Sequence, residues 1–229
     1  MKKIKNGLIN LARGNEITRN LFLNFSLWLN HFSYSLIKVF VTPPSGVHPK
    51  HAIMNYHQFF IDHIKEDDTI LDIGCGNGLL ADDLAAKAKK VIGIDIAEKN
   101  IRLAESKFTR PNLEFVVGDC LSYDFSRLGV EKFSVVVLSN VLEHLDRRIE
   151  FLKKLQQLSD KMLVRVPLLT RDWLTVYRQE RGYPYKLSAD HKIEYTEKIL
   201  NEELAAADWK ITNAVIQFGE IWAVANKKN

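Results

Sequence analysis

Three aspartates and a glycine turn carry the chemistry available to this chain. Asp72, Asp95 and Asp119 end three successive apolar runs, "TILDI", "VIGID" and "LEFVVGD". The turn Gly74-Cys75-Gly76-Asn77-Gly78 follows the first of them. Carboxylates at strand ends accept hydrogen bonds from hydroxyls and amines, and glycines let a ligand approach the backbone. A second polar set, Asn140, Glu143 and His144 in "SNVLEHL", follows a fourth apolar run. A Glu and a His in such a loop can assist proton transfer, since His titrates near neutral pH. Metal chemistry is not expected. Cys75 and Cys120 lie in separate segments without ligand spacing. The H-x-x-H pair His48 and His51, with His57 after it, lacks a second ligand set.

The glycine spacing leaves the ligand open. A dinucleotide fingerprint reads G-x-G-x-x-G, whereas this turn reads G-x-G-x-G. The neighbours decide. Asp72 lies two residues before Gly74, on the same side of the strand and beside the turn. A carboxylate there opposes a pyrophosphate and suits a cationic ligand. Such Coulomb effects reach about 4 kcal/mol at ~4 Å and an effective dielectric near ~20. S-adenosylmethionine has a sulfonium, an ammonium and no phosphate. Asp95 can take both ribose hydroxyls, a role shared with nicotinamide sites. Asp119 can accept from an adenine amine. Each aspartate alone is an ordinary turn or cap residue, but three in register make that reading improbable.

These residues need a scaffold, and the hydrophobic pattern supplies one. From Asp68 onward short apolar runs alternate with helical periods. Strands are predicted in "DTILDIG", "KVIGID", "LEFVVGD", "FSVVVLSN" and "KMLVRVP". Helices are predicted in "NGLLADDLAAKAK", in "EKNIRLAESKF" with Ile101, Leu103 and Ala104, and in "RRIEFLKKLQQLS" with Ile149, Leu152, Leu155 and Leu158. This alternation predicts βαβ units and a parallel sheet covered on both faces. The stretch "LLTRDWLTVYRQERGYPYKLSADHK" reads as a long irregular loop rich in Trp173, Tyr177, Arg178, Arg181, Tyr183, Tyr185 and Lys186. His191 within it either enters an acceptor pocket or lies on the surface. A helix capped by Thr196 and two closing strands, "KITNAVIQFG" and "IWAVANKK", complete the chain.

The 229 residues are 46% hydrophobic and 26% charged, which fits one globular domain with an appendage. The net charge of +4 is spread along the chain, so a nucleic-acid partner is not expected. Two cysteines suit a reducing, cytoplasmic setting. "VTPPSGVHPK" breaks the chain, giving an appendage at residues 1–45 and a domain at 46–229. Beyond it, "HAIMNYHQFFIDHI" has one helical period through Ile53, Tyr56, Phe60 and Ile64. Before it, "NLFLNFSLWLNHFSYSLI" is uncharged and follows Lys2, Lys3, Lys5, Arg13 and Arg19. Its Asn, Ser and His residues argue against a membrane span. A packed helix, or surface association through residues 20–41, fits better.

The motifs "ILDIGCGNG", "VIGIDI", "VVGDC" and "FSVVVLSNVLEHL" resemble those of class I S-adenosylmethionine-dependent methyltransferases. The likeness is strong over 68–167 and looser beyond. It implies a Rossmann-like three-layer α/β sandwich with a seven-stranded, mostly parallel sheet whose last strand is antiparallel. It implies S-adenosylmethionine as cofactor, with Gly74, Cys75, Gly76 and Gly78 beneath the methionine part and Asp72 at the ammonium. Asp95 and Ile96 would line the ribose end, Asp119 and Cys120 the adenine amine, and Asn140 the sulfonium. "LEH" also resembles quinone-biosynthesis O-methyltransferases, in which Glu and His of this loop hold a divalent metal. Those members carry another acid where this chain has Asn140, so Glu143 and His144 are assigned to catalysis without a metal. The expected activity is methylation, at oxygen, of a small or medium acceptor, including a glycan or lipid-linked one. The alternatives are a cofactor-binding subunit that needs a partner, and a nicotinamide enzyme.

Overall fold

The computed structural model describes residues 4, 6, 7, 9, 10, 15–43 and 48–228. Lys2, Lys3, Lys5, Arg13, the break at Pro44–Val47 and the expected 45/46 boundary lie outside the described residues. The chain forms two compact units, Met1–Asn55 and Tyr56–Asn229.

In the first unit, α1 (Glu16–Phe40) is one 25-residue helix. Asn15 caps it by accepting from the Ile17 N–H at 2.8 Å. Phe25, Trp28 and Phe32 recur at i, i+3 and i+7 and stack along it, with centroids 6.0 and 5.4 Å apart. Among the described residues no helix is long and apolar enough to cross a membrane. α2 (Lys50–Met54) ends at Asn55, which takes a left-handed φ of 47°. The single helical run expected through Ile53 and Phe60 is therefore broken here. Asn tolerates that conformation better than most residues, and Ile53 is left exposed.

The second unit opens with α3 (Tyr56–Asp62), which buries Tyr56, Phe59 and Phe60. Seven strands follow: β1 (Thr69–Ile73), β2 (Lys90–Asp95), β3 (Leu113–Val117), β4 (Val135–Ser139), β5 (Lys161–Pro167), β6 (Trp209–Gln217) and β7 (Glu220–Lys227). Their order is β3-β2-β1-β4-β5-β7-β6. β1 to β5 run parallel, and β7 is antiparallel to both β5 and β6. This is the sheet the resemblance implied. β4 is buried on both faces through Val135–Leu138, which explains its unbroken β-branched run. Leu71, Ile92, Val136, Leu138, Leu152 and Trp209 are core residues around it.

The crossovers use α4 (Leu79–Ala85), α5 (Glu98–Lys107) and α6 (Arg148–Leu155). Two expected core positions face solvent instead: Leu103 and Ile149 are exposed. On α5 the buried stripe is Ile101 and Ala104, and Leu103 is about 100° off it. On α6 the stripe runs through Phe151, Leu152 and Leu155, which turns Ile149 outward.

The stretch after β5 is more regular than expected. It holds a 3₁₀ turn (Leu169–Arg171) and α7 (Trp173–Glu180). Asp172 caps α7, accepting from the Thr175 N–H at 2.8 Å and its hydroxyl at 2.9 Å. α8 (Glu197–Ala206) starts at Thr196, whose Oγ1 accepts from the Ile199 N–H at 3.2 Å, the cap its sequence predicts. The chain order reverses between β1 and β4, so the crevice for a ligand lies at their carboxyl ends.

Candidate cofactor and acceptor site

The glycine turn sits at that crevice. Gly74, Gly76 and Gly78 all have positive φ, at 71°, 56° and 80°. Their surroundings differ. A Cβ on Gly74 would lie 2.7 Å from Val141 Cγ2, and one on Gly78 would lie 2.7 Å from Phe115 Cζ. A Cβ on Gly76 would meet nothing within 4 Å. Two glycines permit packing, and the middle one opens the backbone toward free space. Cys75 turns inward: its Sγ packs over Gly93 of β2, and burial pushes its thiol far up.

Asp95 braces this turn. Its Oδ2 accepts from Gly76 N–H at 2.9 Å, and Oδ1 accepts from Ala97 N–H at 2.8 Å and Asn100 Nδ2 at 3.2 Å. Ile96, next along, is exposed and offers an apolar wall. Asp119 shapes the corner after β3, its Oδ1 accepting from Leu121 N–H at 3.0 Å and its Oδ2 from the Ser122 hydroxyl at 3.3 Å. Beside it, burial and then the Asp119 charge push the Cys120 thiol up to about 11.

Asp72 is fully buried on β1, and its Oδ2 has no hydrogen-bond partner in the structure. Burial, and then the Asp95 charge, raise its carboxyl from 3.8 to about 8. A cation seated beside it would favour the ionised form. Asn140 ends β4 with a left-handed φ of 58°. Its N–H donates to Arg165 O at 2.8 Å, and its buried Oδ1 is likewise without a partner. Orphaned buried acceptors at both sides of the crevice, with an open glycine between them, suit a ligand that donates hydrogen bonds and carries positive charge.

Glu143 and His144 lie in a 3₁₀ turn (Leu142–His144) just beyond. Glu143 is fully buried, neither carboxylate oxygen has a partner, and burial pushes its carboxyl up to about 8. His144 is partly exposed and its Nδ1 lies 3.0 Å from Asp190 Oδ2. Burial lowers its pKa below the usual value, against the opposing pull of Asp190. His191 is buried, not on the surface. Its Nδ1 is 2.8 Å from Glu194 Oε1, and its ring meets that of His144 edge-on at 4.7 Å. The two loops are clasped by the Lys192 N–H, which donates to Glu143 O at 2.6 Å.

Within the second unit His57 Nδ1 pairs with Asp83 at 2.5 Å, and within the first His48 Nδ1 accepts from Lys50 N–H at 3.0 Å. The aromatic-basic stretch is tied to the site: Lys186 Nζ donates to His191 O at 2.8 Å, and Arg171 donates to Glu194 at 2.7 Å and to Tyr185 O at 2.6 Å. Trp173 stands largely in solvent, 6.3 Å from the Tyr177 ring.

Sequence reasoning missed one buried assembly. Arg165 on β5 forms a bidentate pair with Glu220 of β7 at 2.5 and 2.7 Å. Its guanidinium lies 3.6 Å from the Tyr56 ring centroid, and Trp222 Nε1 donates to Glu220 at 2.9 Å. The available signal was one charge inside "KMLVRVP", where a fully buried strand should be apolar.

The strand order, with the glycine turn and the strand-end aspartates at its crevice, has the arrangement that the sequence resemblance implied. Residues 70–161 match the family model described as a methyltransferase domain. Ribosomal protein L11 methyltransferase of Thermotoga maritima is 28% identical over 158 residues, covering 65% of this chain and 55% of that protein. Ubiquinone biosynthesis O-methyltransferase of Bartonella quintana is 31% identical over 109 residues, covering 47% and 44%. The chain thus spans about half the length of the curated relatives it matches. Magnesium protoporphyrin IX methyltransferase from Synechocystis, solved with bound S-adenosylhomocysteine, superposes with a TM-score of 0.61. It is 18% identical, covering 78% of this chain and 83% of that one, and so shares the fold.

Proposed function

We propose that the chain transfers the methyl group of S-adenosylmethionine to a hydroxyl oxygen of a small or medium acceptor, with 46–229 as the catalytic domain and 1–45 as an appendage. The cofactor supplies a methyl group already activated on a sulfonium, which leaves as a neutral thioether. The protein's part is then mainly alignment and exclusion of water. Asp72 pairs with the ammonium, and the turn Gly74–Gly78 carries the methionine part. Asp95 takes the ribose hydroxyls with Ile96 beside it, and Asp119 with the Cys120 backbone takes the adenine amine. Asn140 faces the sulfonium region.

The observation that carries methylation at oxygen is the group formed by Glu143, His144 and His191 beside this crevice. A hydroxyl sheds a proton as it is methylated, so a site for it gains from groups that assist that loss. A buried, unpartnered carboxylate next to two imidazoles held by carboxylates suits that task. The Bartonella relative's name also includes O-methylation. Within this class, exposed Trp173 and the Tyr177–Arg181 pair favour an acceptor bearing a ring, as in a glycan or lipid-linked molecule. The Phe25–Trp28–Phe32 stack on α1 suits association with a membrane surface.

The test is methyl-labelled cofactor with the purified chain and panels of alcohol, phenol, amine and thiol acceptors. Label on oxygen is expected. Label on nitrogen or sulfur, or transfer that starts only after a second subunit is added, overturns the reading. Deleting residues 1–45 without loss of folding, membrane association or turnover removes the lipid-linked acceptor.

A further inference from the structure

We infer that a second copy of this chain docks on β6, the two strands pairing antiparallel about a two-fold axis at Val215, so that two seven-stranded sheets join into one. β6 ends the sheet order, and among the described residues no strand pairs with its outer side. Every residue from Thr212 to Ile216 is exposed. Successive side chains of a strand point to opposite faces, so neither helical layer covers this part of β6. Val215 and Ile216 are 39% and 45% exposed, and Phe218 in the turn beyond is 58% exposed.

An open edge is a template for another strand unless charge, proline or a covering element blocks it. The opposite edge of the sheet shows such a guard. β3 carries an exposed Glu114, which lies 3.0 Å from Lys90 of β2. β6 has no equivalent: "ITNAVIQFG", residues 211–219, contains no charge and no proline. Its one irregularity is a register shift between Ile211 and Asn213. That shift lies near the start of the strand and leaves 213–217 in unbroken register with β7.

The chemistry of this edge selects the copy as its occupant. An uncharged strand offers no ion pair to an acidic or basic peptide, and a two-fold contact needs a surface that complements itself. With the axis at Val215, Asn213 of one copy faces Gln217 of the other, an amide pair able to exchange hydrogen bonds. Ala214 faces Ile216, small against large, and Val215 faces Val215. Moving the axis to Ala214 or Ile216 would set Val215 against Asn213 or Gln217, apolar against amide. The strand pair with its flanking side chains would cover about 1,000 Å², the lower limit of a specific interface, so the dimer is weak and half-formed at roughly 10–100 µM. Val215 is in register with Trp222 and Gln217 with Glu220 on β7. The joined edge therefore lies one strand from the Glu220 that holds Arg165. Dimerisation is independent of the acceptor proposed above.

The experiment is sedimentation equilibrium of the full chain between about 5 and 500 µM, a span that brackets the expected dissociation constant. A reversible monomer–dimer equilibrium is expected. Val215→Lys sets two ammonium groups opposite each other and should raise the dissociation constant at least tenfold, with the melting temperature of the dilute monomer retained. Should V215K not fold, oxidative cross-linking decides. In this register two Val215 Cβ atoms lie about 4.5–5.5 Å apart. Two Ala214 positions are two residues out of register, beyond the ~7 Å Cα separation that a disulfide spans. V215C is expected to link into a covalent dimer under mild oxidant. A214C is expected to stay at the background set by the wild type, which has Cys75 and Cys120. Monomer alone at every concentration, a dimer that V215K leaves unchanged, or equal linking of A214C and V215C overturns the proposal.

Discussion

Asp72→Asn keeps the shape of the side chain and removes its charge, and the two effects on stability and binding have opposite signs. In the free protein, burial and the Asp95 charge raise this carboxyl from 3.8 to about 8. A shift of about 4 units at 1.36 kcal/mol each corresponds to about 6 kcal/mol, the ceiling on the cost of ionising Asp72 in the fold. Water entry and side-chain relaxation offset part of it. Because the folded pKa lies above the unfolded one, the folded state holds a proton between about pH 4 and pH 8 that the unfolded chain has released. Stability therefore falls as pH rises through that window. Asn does not titrate, so it escapes the loss. Even a third of the ceiling, about 2 kcal/mol, shifts Tm by roughly 4–8 °C in a domain of this size. We expect apo D72N to melt above wild type at pH 8.5, with the difference shrinking toward pH 5. Cofactor binding should move the other way. Losing a charge pair worth up to about 4 kcal/mol weakens binding by roughly 10²–10³-fold. Scanning fluorimetry at the two pH values and calorimetry with S-adenosylhomocysteine read both effects. Wild-type affinity in D72N, or equal destabilisation at both pH values, would refute the reasoning.

Three further outcomes follow from the same geometry. Cofactor binding should release a proton from Asp72 below pH 8, seen as a binding enthalpy that varies with the ionisation enthalpy of the buffer; no variation at pH 6.5 counts against it. Gly78→Ala should cost about 2 kcal/mol or more, since its Cβ would meet Phe115 at 2.7 Å with φ at 80°, while Gly76→Ala should cost about 1 kcal/mol and chiefly weaken the cofactor. Glu220→Ala should cost about 3–5 kcal/mol in denaturant unfolding, because it leaves Arg165 buried without its carboxylate.

The parallel sheet was legible because its strands are short β-branched runs whose period and length are local properties. Asp72, Asp95 and Asp119 were legible as a group because each follows such a run. What local pattern did not reveal depends on contacts between distant segments. His191 reaches Glu143 and His144 only because the loop after β5 folds back over the β4 turn. Arg165 finds Glu220 across an antiparallel pair whose register no local period encodes. α7 was hidden by a long aromatic-basic stretch, although Asp172 ahead of "WLT" is a capping signal in its own right. The helix break at Asn55 depends on one residue taking a left-handed conformation inside an otherwise helical period.

Incubation of the purified chain alone with methyl-labelled S-adenosylmethionine and an extract of its own cell tests the central claim most directly. The account predicts labelled product with the methyl group attached to oxygen, and loss of that product in D72N. Labelled product on nitrogen, or equal labelling by D72N, would contradict it.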